Sequence, residues 1–527
     1  MDHLEVVLAA LFVAVAGLTT LARRLAVPYP ILLVPGGLAL GFIPGIPTVE
    51  LEPELVFAIF LPPLLYHAAF FADLRSLRAD ARSISLTSVG LVLATMAAVA
   101  AIAHEVIGVP WAVAFALGAI VSPTDPAAAT AVMRRLGAPR RIVHLVEGES
   151  LINDAAALVA FRVAVAAAVG GSFSVLDAGF RFVWASLGGV AVGLVVGFLV
   201  ALIRRRLDDP PIEITISLFT GYAAFFPADE LGLSGVLATV TAGIFLGWRA
   251  PEISSPAQRL QGSGFWEMLV FLLNATLFVL VGLQLPVILD AVSTRPAVEL
   301  AAYALLVSAV VIGVRFAWMF TMPYVIRALD RRPSQMARRV GGRSRIVIGW
   351  SGMRGAVSLA AALAVPLETA AGAPFPERDL ILVVTFTVIL VTVVGQGLTL
   401  PGLIRRLDLV EEDDGEEHEE VRARLEATRA ALERLDELAH EDWTRDETVE
   451  RLRRFYEFRK RRFAARAGKI EDDGYDERSL AYQRLMQLLF EAQRDAVVRL
   501  RNEGAISNDV MHRIEREPDL EDQRLEI

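Results

Sequence analysis

From residue 4 to about residue 404 the chain alternates long apolar runs with short charged breaks. An α-helix of about 20 apolar residues crosses a ~30 Å hydrocarbon core. Thirteen runs qualify, near 4–22, 28–44, 54–72, 84–104, 110–133, 141–169, 178–203, 211–228, 231–248, 265–285, 297–326, 345–366 and 378–404. Beyond residue 407 no run is long enough to span, and charged residues recur at helical spacing. The pattern predicts an all-α polytopic membrane protein, with a transmembrane domain over 1–407 and a charged helical cytoplasmic tail over 408–527.

The breaks carry a direction. Alternate loops are basic: Arg23 and Arg24; Arg75, Arg78 and Arg82; residues 134–141; residues 204–206; Arg249 and Arg259; and residues 327–345. The loops between them are neutral or acidic, as at 49–52 and 227–231. Basic loops stay on the cytoplasmic side, so the N-terminus is expected outside and the tail inside. Thirteen crossings require the same result.

Composition mainly excludes. The 527 residues are 54% hydrophobic and include no cysteine, which removes disulfides, thiolate metal sites and cysteine catalysis. The net charge of −9 comes largely from the tail and points to no nucleic-acid partner. Lys460 and Lys469 are the only lysines, so arginine carries nearly all the positive charge. The first apolar run follows an acidic start, MDHLE, without a small-residue cleavage site. It reads as a transmembrane helix rather than a signal peptide. No cofactor-binding fingerprint occurs.

Two spans are interrupted. In the fifth, SPTDPAAA (122–129) sets two prolines around Asp125, and proline supplies no amide to the preceding turn. In the twelfth, GWSGMRGAVS (349–358) sets three glycines around Arg354, which permits unwinding. The two spans are seven apart and so cross in opposite directions. Interrupted helices at matching places in inverted halves point to a midplane site in a secondary transporter. Ordinary proline and glycine kinks are the simpler alternative.

Residues 145–164, LVEGESLINDAAALVAFRVA, concentrate charge in the sixth span. On a helix, Glu147, Ser150 and Asp154 share one stripe, and Glu149 and Asn153 form the next. Ser, Asn and Asp oxygens suit a hard monovalent cation such as sodium. An ionised aspartate alone in such surroundings is costly; it holds a proton or a cation. An acid that always holds one or the other is already an exchanger. Asp154 could instead sit in a fixed salt bridge with Arg162 or Arg354. Asp125 could be a helix cap, with the Thr124 carbonyl exposed beside it. Glu149 is the most economical partner for Arg354, leaving Asp154 free to cycle. His67, inside FLPPLLYHAAFF (60–71), reads first as a packing residue.

Together, SPTDP, GESLINDAAALVAFRVA, GMRGAVSLAAALAVP and FLPPLLYHAAF resemble the bacterial sodium/proton antiporters of the monovalent cation:proton antiporter-1 family. The likeness runs through all thirteen spans and into the tail end, NEGAISNDVMHRIEREPDLEDQRL. It implies a homodimer with inverted repeats, crossed and broken fifth and twelfth helices, and alternating access by movement of a core against a dimer scaffold. It implies that Asp154 binds cation or proton, with Asn153 before it. Ser150, Asp125 and the Thr124 carbonyl would complete the cation shell, and Glu149 with Arg354 would form a structural ion pair. Many relatives carry an acid where this chain has His67, so His67 is a pH-sensitive neighbour of the site on that reading. The expected activity is electroneutral exchange of sodium, or of lithium or potassium, for a proton across the bacterial plasma membrane, by a transporter and not an enzyme.

Three other functions compete. An intramembrane aspartyl protease would use Asp125 and Asp154, but needs neither the Ser–Asn shell nor Arg354. A cation channel needs a continuous lined pore, and no filter-like repeat is visible. A sensor would signal through the tail. In that tail, residues 411–420 hold eight acidic residues in ten and read as a solvated linker. Residues 421–439 read as an amphipathic helix. The basic, aromatic stretch 451–469 suits either anionic inner-leaflet lipid or a soluble helix that offsets the acidic linker.

Overall fold

The computed structural model describes residues 2–25, 27–43, 53–79, 84–170, 175–291, 296–329, 340–409, 414–468, 470 and 474–525. Among them the secondary structure is helical, apart from one isolated bridge between Glu368 and Pro374. The chain divides into two compact units, Met1–Glu411 and Glu412–Ile527. The acidic loop at 49–52, Arg82, residues 330–339 of the basic loop and residues 411–413 of the acidic stretch lie outside the described residues.

In the first unit, seven helical segments among the described residues are long and apolar enough to cross a membrane: Leu86–Ile107, Trp111–Arg135, Arg140–Gly170, Gly179–Arg204, Pro256–Gln284, Ala297–Ile326 and Arg378–Arg406. Tyr29–Gly41 and Ala58–Phe70 are shorter apolar helices. The local chemistry of the helix starts is legible. Asp209 caps Pro210–Glu230 by accepting the Ile212 amide at 3.3 Å, and Ser234 caps Gly235–Ile253 by accepting the Leu237 amide at 3.2 Å.

Helix contacts depend on small residues, because lipid is as apolar as a leucine side chain and drives no association by itself. The helices Tyr29–Gly41 and Pro256–Ala291 meet backbone to backbone at Gly37 and Gly282. A Cβ on Gly37 would strike the Val279 carbonyl, and one on Gly282 would strike the Val34 carbonyl.

The second unit holds the helices Asp414–Leu438, Asp446–Arg466, Tyr475–Asn502 and Asn508–Leu525. The first corrects the expectation of a linker over 411–420, since it begins at Asp414. Acidic residues at a helix N-terminus oppose the macrodipole favourably, and glutamate is a good helix former. Val421, Leu425 and Phe463 make a small apolar cluster. Arg462 lies 5.1 Å above the Phe463 ring, and Arg453 pairs with Asp436 at 2.6 Å. Part of the basic aromatic stretch is therefore engaged inside its own unit.

The Gly37 contact is testable. Gly37→Leu should force the two helices apart and destabilise the detergent-solubilised protein by about 1–3 kcal/mol. Gly313→Leu, whose Cβ meets nothing within 4 Å, should stay within about 0.5 kcal/mol of the unchanged protein. Thermal melts of the two variants read the difference.

Candidate functional site

Three stretches build the site. Helix Trp111–Val121 ends where Pro123 and Pro126 withhold amides, and Pro126–Arg135 starts afresh. Asp125 caps the second helix, its Oδ1 accepting the Ala127 amide at 2.9 Å. The cap role weighed for Asp125 is thus filled, and the residue also lines the central cavity. The second stretch, 351–355, separates Gly342–Trp350 from Ala356–Leu363. A side chain on Gly355 would collide with the Asp125 carboxylate, so glycine here allows the two stretches to touch.

Unwound backbone in hydrocarbon needs partners. Each stretch supplies them to the other. The Asp125 amide donates to the Met353 carbonyl at 2.8 Å, and Arg354 Nε donates to the Val121 carbonyl at 2.9 Å. Arg354 Nη1 donates to the Gly352 carbonyl at 2.6 Å, and its amide donates to Thr392 Oγ1 at 3.0 Å.

The third stretch is helix Arg140–Gly170. Its Glu147–Ser150–Asp154 stripe lines a cavity of about 680 Å³, shared with Thr124, Asp125 and His67. Ser150 Oγ donates to the Thr124 carbonyl at 2.7 Å. Asn153 does not line the cavity; its Nδ2 donates to Thr124 Oγ1 at 2.7 Å and its Oδ1 has no partner. Asp154 is 9% exposed, and no hydrogen bond or ion pair reaches its carboxylate among the described residues. Asp125 is near enough to repel it electrostatically. His67 lies between the rings of Phe71 and Trp266, at 4.8 and 5.7 Å, while still lining the cavity.

One weighed alternative is set aside and one expected pairing is corrected. Arg162 pairs with Asp229 rather than Asp154. Glu149 pairs directly with Arg315, not with Arg354. Arg315 approaches Glu149 Oε1 with Nη1 and Oε2 with Nη2, the latter at 3.2 Å, and donates to the Ile348 carbonyl from Nε and Nη2 at 3.2 and 3.1 Å. This two-pronged geometry matches the guanidinium fork to both carboxylate oxygens. Arg354 is instead held by carbonyls, and acts on Glu149 only at longer range. Glu149, Arg315 and Arg354 are 2%, 1% and 1% exposed. Arg315 has one signal in the sequence: it is the single arginine in the apolar run 297–326, where an ionisable residue is costly without a partner.

An acid left without a partner among oxygen atoms, inside an apolar helical bundle, marks a candidate site for a small cation or a proton. The chain belongs to the sodium/hydrogen exchanger family: residues 8–406 match the model described as "Sodium/hydrogen exchanger, transmembrane". It is thus a membrane-embedded transporter of the monovalent cation:proton antiporter-1 kind and not an enzyme. It is 39% identical to an uncharacterised Na(+)/H(+) exchanger of Mycobacterium tuberculosis over 99% of this chain and 96% of that one. It is 34% identical to the low-affinity Na(+)/H(+) antiporter NhaS1 of Synechocystis over 81% of this chain and 78% of that one. Its fold is similar to that of the antiporter MjNhaP1 from Methanocaldococcus jannaschii, with a TM-score of 0.61 and 21% identity, covering 78% of this chain and 100% of that one. The protease and channel alternatives gain no support.

The pairing carries a prediction. Removing one partner of a buried ion pair strands the other, at about 3–5 kcal/mol. Arg315→Ala should melt well below the unchanged protein, and adding Glu149→Gln should restore most of the loss. Adding Glu149→Gln to Arg354→Ala should not. Melts of the four variants distinguish Arg315 from Arg354 as the direct partner.

Proposed function

We propose that this protein exchanges one monovalent cation, sodium first, for one proton, electroneutrally and by alternating access, with Asp154 holding each in turn. The observation that carries the reading is the Asp154 carboxylate, buried on the cavity wall with no partner of its own. Oxygen ligands stand beside it. Ser150 donates its hydrogen to the Thr124 carbonyl, which leaves the Ser150 oxygen lone pairs and a second Thr124 carbonyl lone pair free. Asp125 contributes a carboxylate anchored by the Ala127 amide. Asn153 orients Thr124 from behind. A monovalent cation with oxygen ligands suits this set; sodium, lithium and potassium differ in how closely the ligands must approach.

Electroneutrality follows from the charges. Glu149 cancels Arg315, and ionised Asp125 offsets Arg354, so a core whose Asp154 holds a proton or a monovalent cation carries no net charge. An empty Asp154 leaves one uncompensated negative charge, which costs a few kcal/mol or more at membrane depth. That penalty suppresses movement of the empty carrier and couples the two fluxes. The cavity wall also includes Arg134 and His144, beside the basic loop 134–141. Under the positive-inside reading this is an inward-facing state, with the N-terminus outside and the tail cytoplasmic. Thirteen spans, crossed broken helices and a homodimeric scaffold in the plasma membrane complete the reading; residue-level support for the crossing is the mutual bonding of the two interruptions.

Everted vesicles supply the first test, with sodium, lithium and potassium across a pH series. Asp154→Asn should abolish cation-driven proton movement while the protein still expresses and folds. Exchange above about a tenth of the unchanged rate would sink the assignment, since a tenfold change corresponds to about 1.4 kcal/mol. Stoichiometry is read in proteoliposomes under a clamped potential. A charge moved through 100 mV is worth about 2.3 kcal/mol, so initial rates should not depend on the imposed potential. A systematic dependence, or a sustained current, would require a second titrating group.

A further inference from the structure

Helical Ser and Thr hydroxyls ordinarily return a hydrogen bond to the carbonyl four residues back. Thr130, Thr387 and Thr392 do so here, at 2.9, 2.8 and 2.7 Å. Ser358 cannot. Its position four residues back is Arg354, which lies in the unwound stretch before Ala356–Leu363. Ser358 is 1% exposed, and its Oγ has no hydrogen-bond partner. A buried hydroxyl without a partner is unfavourable, so an unsatisfied Ser358 calls for a ligand outside the helix.

Its location supplies one. Ser358 lines the same cavity as Asp125 and Asp154. It stands in the first turn of its helix, two residues after Ala356, which lines the cavity together with Asp125. Gly355, one residue earlier, is pressed against the Asp125 carboxylate.

We propose that the Ser358 hydroxyl oxygen is a further, neutral ligand of the transported cation, from the helix that follows the Arg354 interruption. The inference rests on the reading that Asp154 holds the cation. Rotation of the serine about χ1 between staggered positions is enough to turn the oxygen from its sealed orientation toward the cavity. When Asp154 takes a proton, the hydroxyl returns to that sealed orientation. Ser358 thereby favours the cation-loaded form over the proton-loaded form without adding charge to the core.

The test measures sodium dependence of transport in proteoliposomes at fixed pH, and sodium-dependent thermal stabilisation of the purified full-length protein. A ligand to a charged group is expected to contribute about a factor of ten or more. Ser358→Ala should raise the half-saturating sodium concentration at least about tenfold in both measurements, with maximal transport rate changed less than about twofold. Ser358→Thr, which keeps the hydroxyl, should stay within about threefold of the unchanged protein. Ser358→Cys matches the serine in shape but offers a poor ligand for a hard cation, and should behave as Ser358→Ala even if the alanine variant folds badly. Unchanged half-saturation in Ser358→Ala or Ser358→Cys overturns the proposal. So does a loss shared equally by all three variants, which marks a packing role. Asp154→Asn, measured alongside, separates the two levels. If it abolishes sodium stabilisation while Ser358→Ala does not alter it, only the Ser358 assignment fails. If Asp154→Asn keeps full sodium stabilisation, the reading of the whole site fails.

Discussion

Inside hydrocarbon, an ion without a partner and a backbone amide without an acceptor are both costly, and the centre of this protein is arranged around those two costs. The two unwound stretches answer the second by bonding to one another, through the Asp125 amide with Met353 and Arg354 with Val121. Neither interruption is stable alone at that depth. Gly355 makes the approach possible, because any side chain there would occupy the space of the Asp125 carboxylate.

The first cost is met unevenly. Glu149 and Arg315 satisfy one another with two parallel contacts, and Arg315 donates further to the Ile348 carbonyl. Asp125 holds a helix end, and Arg354 is surrounded by carbonyls. Among the described residues, Asp154 alone of the buried charges of this centre receives no hydrogen bond or ion pair. A fully satisfied acid would be an inert strut. An unsatisfied one is costly unless it takes a proton or a cation, and the proposed exchange rests on that cost.

The supporting groups differ in how many partners hold them. Thr124 is held at its carbonyl by Ser150 and at its hydroxyl by Asn153 and, at 3.4 Å, by Glu149. The ligand wall is therefore tied through Glu149 to the Arg315 helix, so that site geometry and core stability share one network. Ser358 stands outside this network with a free hydroxyl. That contrast separates residues that fix the shape of the site from one that responds to its occupant.

Apolar periodicity alone established the helical class, the membrane location and the change of character after residue 407, because each depends on neighbours within one helix. The same local logic located both interruptions and put Glu147, Ser150 and Asp154 on one stripe, since prolines, glycines and a 3.6-residue repeat act over a few residues. It also misjudged the tail, where glutamates that look like a solvated linker begin a helix at Asp414. What it missed at the centre was non-local. Arg315 and Glu149 are 166 positions apart, and nothing in either local sequence favours that pairing over Arg354. Arg162 likewise found its partner 67 positions away, in Asp229. A local pattern determines which charges enter the membrane; only the packing of distant helices decides which of them meet, and so which acid is left without a partner.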